Sequence, residues 1–286
     1  MAEQTILVTG ATGTAGTQTV RQLAEAGHPV RALVRDRAKA AKLDPRAEIV
    51  VGDLTNPASL RPAFEGVDKV FVIANGWDLH LLEGAAYDAA KAAGAKHIVK
   101  LGGRTADWPE LAGTTTAEWH GESERRLQAS GVAWTILRPG FFFSNLLQFG
   151  IMQRGGLFLP AGDGKDTPID PFDIAAVAVR TLTEPGHEGK IYEMTGPERV
   201  SFQEIVDRVA AFTGIKLTFV DTPPEDVMGA LLQSGMKQRQ AESIIKYFGI
   251  VKSGKMYVEP TVEQILGRPA RNLEDWMRAN AAALRS

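Results

Sequence analysis

Gly10, Gly13 and Gly16 follow directly on the apolar run Ile6-Leu7-Val8, and an amphipathic stretch from Thr17 to Ala26 follows them. Strand, tight turn and helix in that order make a unit suited to a dinucleotide. Gly10 allows the turn off the strand, Gly13 lets backbone approach a pyrophosphate, and Gly16 lets the helix pack close to the strand. The free N–H groups and partial positive charge of the helix N-terminus then favour phosphate. Further along, His120 and Glu124 stand four apart on a stretch that reads as helix, so they share a face. A histidine can donate a proton near neutral pH, and a carboxylate beside it favours the charged form. The plainer alternative is a solvated pair on an exposed face. Tyr87 and Lys91 have the same spacing on another helical stretch, where chance produces such pairs easily.

Arg35 ends the second apolar run, Pro29–Val34. An acidic residue there would hydrogen-bond a ribose 2′-hydroxyl and repel a 2′-phosphate. A guanidinium does the opposite, because its planar fork can hold a phosphate bidentately. Arg35 therefore points to NADP(H), although Asp36 competes for the place and a solvated surface arginine is the alternative. Phe141, Phe142, Phe143, Phe149 and Phe158 cluster after the sixth strand, and Trp108 and Trp119 lie near the loop after the fifth. They would line a pocket for a flat aromatic ligand, or form core. No His, Asp or Glu set has metal-ligand spacing, and the phosphate loop Gly-xxxx-Gly-Lys-Ser/Thr does not occur.

The elements that must position these residues alternate. Strands are expected at 29–34, 48–51, 69–74, 97–101 and 133–137 after the first. Helices are expected at 36–43, up to Phe64, at 81–93 and at 116–129. Unbroken apolar strands are buried on both faces, which means a parallel sheet with helices on either side. The rhythm changes after Pro139. Residues 141–164 are aromatic, Gly-rich and irregular, a helix returns at 171–182, and Lys190–Met194 reads as a seventh strand. The remainder is mainly helical: 201–213, with Ser201 and Glu204 at capping-box spacing, then about 224–248, 261–266 and 273–284. The reading is a Rossmann-type α/β domain, doubly wound, over residues 1–150 and receiving about 170–195. A smaller, mainly helical substrate domain covers 151–286 and folds over the C-terminal edge of the sheet, where open α/β sheets bind ligands.

Bulk composition agrees with a globular chain: 286 residues, 44% hydrophobic, 23% charged, net charge −2 and no cysteine. This balance gives no reason to expect a nucleic-acid or membrane-surface partner. Without cysteine there is no disulfide frame and no thiolate nucleophile. The first strand begins within a few residues of Met1, leaving no room for a signal peptide, so a cytoplasmic protein is expected.

The turn Gly10-Ala11-Thr12-Gly13-Thr14-Ala15-Gly16, Arg35, Gly52-Asp53-Leu54, Arg138-Pro139-Gly140 with Asn145, and Met194-Thr195-Gly196-Pro197-Glu198 together resemble the atypical short-chain dehydrogenases. The ending Gly267-Arg268-Pro269-Ala270-Arg271-Asn272-Leu273-Glu274-Asp275-Trp276 is like that of the NmrA-like group. That group includes NAD(P)H quinone reductases, triphenylmethane and azo-dye reductases, and redox-sensing regulators. The resemblance implies that Gly10, Thr12, Gly13, Thr14, Ala15 and Gly16 hold the pyrophosphate and that Asp53 and Leu54 meet the adenine. It places Ala74, Asn75, Gly102, His120, Pro139, Gly140 and Phe141 along the rest of the cofactor. Phe142, Phe143, Asn145 and Trp119 fall on the substrate side.

Most short-chain dehydrogenases use a Tyr-xxx-Lys pair on the helix after strand five. Tyr87 and Lys91 precede that strand, and in the NmrA-like reductases a His-xxx-Glu pair, here His120 and Glu124, resembles a replacement. The family's serine after strand five is also missing, with Thr105 or Thr114 as possible donors. An incomplete acid/base set suits acceptors that need little proton help. The expected function is an NADPH-dependent reductase of a flat conjugated or aromatic acceptor, working as monomer or homodimer. The alternatives are an NADP(H)-binding redox sensor without turnover and a nucleotide-sugar epimerase-like enzyme.

Overall fold

The computed structural model describes residues 4–285, and the Thr105 side chain lies outside the described part. The chain divides into two compact units. The first comprises the chain through Gly103, Trp119–Pro139 and Pro171–Glu193. The second comprises Arg104–Glu118, Gly140–Asp170 and the chain from Met194 onward. The boundary expected at residue 150 therefore falls at 139/140, and the second unit also takes the loop after the fifth strand. Local composition marks the Gly-rich stretch, but the packing changes hands earlier, where the sixth strand ends.

In the first unit, strands β1 (Ile6–Val8), β2 (Val30–Val34), β3 (Glu48–Val51), β4 (Lys69–Val72), β5 (His97–Leu101) and β6 (Ala133–Pro139) form one sheet with the Lys190–Met194 strand. The order is β3-β2-β1-β4-β5-β6, then Lys190–Met194 at the far edge. Each adjacent pair among the six is parallel; Ile6 is in register with Val30 on one side and Lys69 on the other. The order reverses between β1 and β4, the switch point where such sheets take ligands. All three β1 residues are buried, as a central strand covered on both faces requires.

Helix α1 (Thr14–Glu25) starts at the glycine turn and buries Ala15, Gly16, Thr19, Val20, Leu23 and Ala24. The spacing is that of one helical face. After the short helix α2 (Leu60–Phe64) come α3 (Leu79–Ala92) and α4 (Thr115–Gln128). Leu7, Phe64, Val70, Tyr87, Ile98, Leu127 and Ile136 pack into one core of this unit.

The second unit has its own core, with Phe141, Phe143, Phe202, Phe248 and Trp276 buried in it. Its helix Phe202–Thr213 carries the expected capping box between Ser201 and Glu204. The stretch 141–164, read as irregular, contains the strand Gly156–Leu159, which pairs in parallel with Thr218–Asp221. Lys165–Asp166 pairs antiparallel with Val200–Ser201. Strands this short show no periodicity of their own; the pairing partners decide them. The single helix expected over 224–248 is two, Pro224–Gln233 and Gln238–Lys252, with Gly235 between them at φ +88°. The last helix likewise breaks at Asn280. Among the described residues, no helix is long and apolar enough to cross a membrane.

Candidate functional site

The turn after β1 is as tight as its glycines demand. Gly10 has φ +55°, and a Cβ there would lie 2.8 Å from the Ile73 carbonyl oxygen. A Cβ on Gly16 would lie 2.2 Å from the Gly10 carbonyl oxygen, so the close approach of α1 to the turn excludes any side chain. A Cβ on Gly13 would meet the Gly10 carbonyl at 3.2 Å. The Gly13 N–H donates to that carbonyl at 2.9 Å, and the Gly13 carbonyl accepts from Thr17 N–H at 2.8 Å.

A cleft of about 260 Å³ opens beside this turn, lined among others by Gly10, Thr12, Gly13, Arg35, Asp53, Leu54, Ala74 and Asn75. Eight residues expected along the cofactor are thus brought together by the ends of β1, β2, β3 and β4. Thr55, Ile73 and Leu82, which the sequence reading did not single out, also line the cleft, as does Gly52, which it quoted in the Gly52-Asp53-Leu54 motif without a cofactor role. Gly52 had a visible signal in its place beside Asp53: a Cβ there would come within 2.9 Å of Leu33. Ala15 and Gly16 lie on the buried face of the first turn of α1, against the glycine turn. Arg35 is exposed at the end of β2. Asp36 does not compete with it as a ligand group, since its carboxylate accepts from the Ala38 N–H at 2.9 Å and caps the next turn. Asp53 accepts from the Thr55 N–H at 2.9 Å, a bond that holds its carboxyl below the usual range. The cleft fits a nucleotide: it has a glycine turn that side chains would fill, a helix N-terminus and a guanidinium for a further phosphate.

The expected His120–Glu124 partnership is not what the fold makes. Glu124 accepts from Arg138 of β6 at 2.6 Å, and both side chains are nearly buried. Its Oε1 would sit 2.9 Å from a Cβ on Gly102, so the carboxylate turns toward the ends of β5 and β6. Burial makes the ion pair the stronger claim, because an unpaired guanidinium there would be far more costly than an unpaired imidazole. The partner of His120 is Lys100 of β5, whose Nζ lies 3.4 Å from His120 Nδ1. Lys100 also donates to Glu83 of α3 at 3.0 Å and to the Leu101 carbonyl at 3.2 Å. Lys100 and Glu83 are fully buried. Burial first, then the Lys100 and Arg138 charges, hold the His120 imidazolium pKa well below the usual histidine value. This reverses the expectation that a carboxylate would favour the charged ring.

Lys100 and Glu83 escaped the sequence reading. A lysine inside the apolar run His97-Ile98-Val99-Lys100-Leu101 was the available signal, since a charge in a buried strand needs a partner.

Tyr87 is 1% exposed, and its hydroxyl lies 2.8 Å from Ser123 Oγ. Ser123 donates to Glu83 at 2.5 Å, so Tyr87 is the donor to Ser123. Burial and then the Glu83 charge push the phenol well above its ordinary pKa. Lys91 is exposed on the same helix. This tyrosine is a core residue with a satisfied hydroxyl.

Trp119 packs edge-on to Trp77, with ring centroids 4.9 Å apart, and stacks on His80 at 5.8 Å. In the second unit, Phe143 is fully buried against Trp276, and the Phe141 ring packs among Phe149, Phe202, Tyr247 and Phe248. The substrate role expected of Phe143 is thus corrected to core, and the ring of Phe141, expected along the cofactor, is core as well. Phe142 and Asn145 are half-buried. Pro139 ends β6, and Gly140 N–H donates to the Met194 carbonyl at 3.0 Å. Thr114, one of the two threonines considered as donors, accepts from the Ala117 N–H at 3.3 Å as a cap to α4. Among the described residues, no group of three His, Asp or Glu side chains is placed to hold a metal ion.

Comparison with known proteins gives the same cofactor class. A family model described as NAD(P)H-binding matches residues 10–185. The chain is 40% identical to an NAD(P)H azoreductase from Xenophilus azovorans, over 97% of this chain and 98% of the relative. It is 37% identical to a (4-alkanoyl-5-oxo-2,5-dihydrofuran-3-yl)methyl phosphate reductase from Streptomyces griseus, over 97% and 98%. The fold superposes with a TM-score of 0.81 on an NADPH-dependent quinone oxidoreductase from Escherichia coli complexed with NADPH, at 28% identity, covering 96% of this chain and 99% of that one. The chain belongs to the NAD(P)H-binding family, in its atypical short-chain dehydrogenase, NmrA-like branch, and is an NAD(P)H-dependent oxidoreductase.

Proposed function

We propose that the protein uses NADPH to reduce a flat, conjugated acceptor of the quinone or azo type. The observation that carries this reading is the state of the protic side chains. Tyr87 and Glu124 are each held in buried bonds, and the charged form of His120 is disfavoured. Such a set cannot protonate an alkoxide efficiently, but it can hydrogen-bond an acceptor that spreads its own charge. The azoreductase, dihydrofuranyl reductase and quinone oxidoreductase similarities point to the same class.

The Gly10–Gly16 turn and the α1 N-terminus would hold the pyrophosphate, Arg35 the 2′-phosphate, and Asp53 with Leu54 the adenine end. Ala74, Asn75, Gly102 and Pro139 would follow the cofactor toward His120. NADPH, when bound, supplies the hydride. His120 presents a ring N–H to the acceptor, and Trp119 offers it a flat aromatic face.

Arg35→Ala tests the cofactor half. A charge-assisted bond is worth about 1.5–3 kcal/mol, so kcat/KM for NADPH should fall roughly 10- to 100-fold while that for NADH stays within about threefold. An equal fall with both cofactors refutes the assignment. Steady oxidation of NADPH with a panel of quinones and azo dyes tests the other half; tight NADPH binding with no turnover on any of them sinks it.

A further inference from the structure

Lys100 is an unusual residue for its position. It lies on β5, one of the central strands of the sheet, and neither it nor Glu83 has any exposed side-chain surface. Taking such a pair out of water costs several kcal/mol per ion before attraction offsets it, and two apolar side chains would pack there without that cost. The pair therefore calls for a reason beyond stability. An ammonium has three N–H donors and no acceptor. All three here have targets: Glu83 Oε1 at 3.0 Å, the Leu101 carbonyl at 3.2 Å and His120 Nδ1 at 3.4 Å.

The third target decides the chemistry of His120. Because the ammonium can only donate, Nδ1 must accept, and the single ring proton must sit on Nε2. A second proton on Nδ1 would set two donors face to face. We propose that Lys100, itself held by Glu83, is a positioning residue that locks His120 in the Nε2–H tautomer, so that the imidazole meets the acceptor as a neutral hydrogen-bond donor and not as a general acid. This rests on the reading above that His120 faces the acceptor.

The other charges near the ring act in the same sense or are neutralised. Arg138 faces it from β6 and lowers its basicity. Glu124, on the same helix as His120, is paired with Arg138, and Glu83 from α3 is paired with Lys100. A neutral N–H stabilises a negative heteroatom without surrendering its proton. Reduction by hydride leaves that charge on the acceptor, and the completing proton comes from water. Only acceptors whose reduced anion is weakly basic tolerate this. A hydroquinone anion, whose parent acid has a pKa of roughly 10 like a phenol, is tolerated. An alkoxide, with a parent pKa nearer the roughly 15.7 of water, is not. The device thus narrows the proposed acceptors to quinone-like ones, against simple ketones and aldehydes and also against azo compounds, whose reduced nitrogen anion is at least as basic as an alkoxide.

Histidine-ring ¹H–¹⁵N correlation spectra of the labelled cofactor-free protein read the tautomer directly, with His120→Gln assigning the signal. The wild type should show Nε2 protonated and Nδ1 bare, unchanged from pH 8 to about 5.5. In Lys100→Met the two tautomers should mix, and the ring should titrate at higher pH than in the wild type. Because Glu83 left alone could unfold the protein, Lys100→Met/Glu83→Gln repeats the measurement with both charges removed and the same result expected. A wild-type ring protonated on Nδ1, or spectra unmoved in both variants, overturns the proposal. If the spectra behave as expected but His120→Gln reduces a quinone at the wild-type rate, the positioning stands and the placing of His120 at the acceptor fails.

Discussion

Gly16→Ala should damage the fold, whereas Gly13→Ala should damage cofactor binding and leave the fold nearly intact. The difference follows from where each added methyl goes. At Gly16 the Cβ would lie 2.2 Å from the Gly10 carbonyl oxygen and 2.9 Å from Ala11 Cα, both backbone atoms of the turn. Neither can rotate away, so α1 must move off β1 by about 1 Å to restore an ordinary contact. Overpacking of that kind costs roughly 1–3 kcal/mol, against which better helix propensity returns about 1 kcal/mol. The upper part of that range survives the offset, because the shift also disturbs the buried faces of Val20 and Leu23. The expected loss is about 2 kcal/mol, or roughly 4–8 °C in Tm. At Gly13 the backbone, φ −80° and ψ 174°, suits alanine, and the contact is 3.2 Å. Its Tm should stay within about 2 °C. Its methyl, however, projects at the mouth of the cleft where a phosphate must approach the backbone, so NADPH affinity should fall at least tenfold, about 1.4 kcal/mol. Thermal melts and fluorescence titration with NADPH separate the two effects. If Gly13→Ala binds NADPH like the wild type, or melts as low as Gly16→Ala, the division of labour in the turn is wrong.

Two further expectations concern buried groups. Tyr87→Phe removes a hydrogen bond to Ser123 and should cost about 1 kcal/mol in a urea melt while quinone turnover stays within threefold; a hundredfold loss of kcat in a folded variant would instead make Tyr87 the catalytic acid. His97 is buried, and because Thr135 already donates to the His187 carbonyl, His97 Nε2 is the donor to Thr135. Burial lowers its pKa to about 4, below the unfolded value of roughly 6.5. The stability this neutral ring contributes is present above pH 6.5 and lost as pH falls toward 4, about 2–3 kcal/mol between pH 7.5 and 4.5. His97→Gln should lack that loss, so parallel stability–pH curves for variant and wild type would refute it.

The cofactor half of the molecule was legible because it is local. A β-branched run, glycines at fixed offsets and an amphipathic helix specify one turn geometry, and the parallel sheet follows from strands apolar on both faces. Arg35, Asp53 and Leu54 reach the same cleft because each follows a strand, and strand ends gather at the switch point whatever the intervening loops do. The family, and with it the oxidoreductase class, was likewise written in motifs spread along nearly the whole chain.

What the sequence left undecided depended on which buried charge finds which partner. Helical spacing put His120 and Glu124 on one face, but tertiary packing brought Arg138 to Glu124 and Lys100 to His120. The aromatic run after β6 could line a pocket or fill a core, and only packing sent Phe143 against Trp276. The short strand pairs of the second unit formed from segments about sixty residues apart in one case and about thirty-five in the other. Spacing determines what shares a face; the competition among desolvated charges and packed rings, settled only when distant strands and helices meet, determines what that face does.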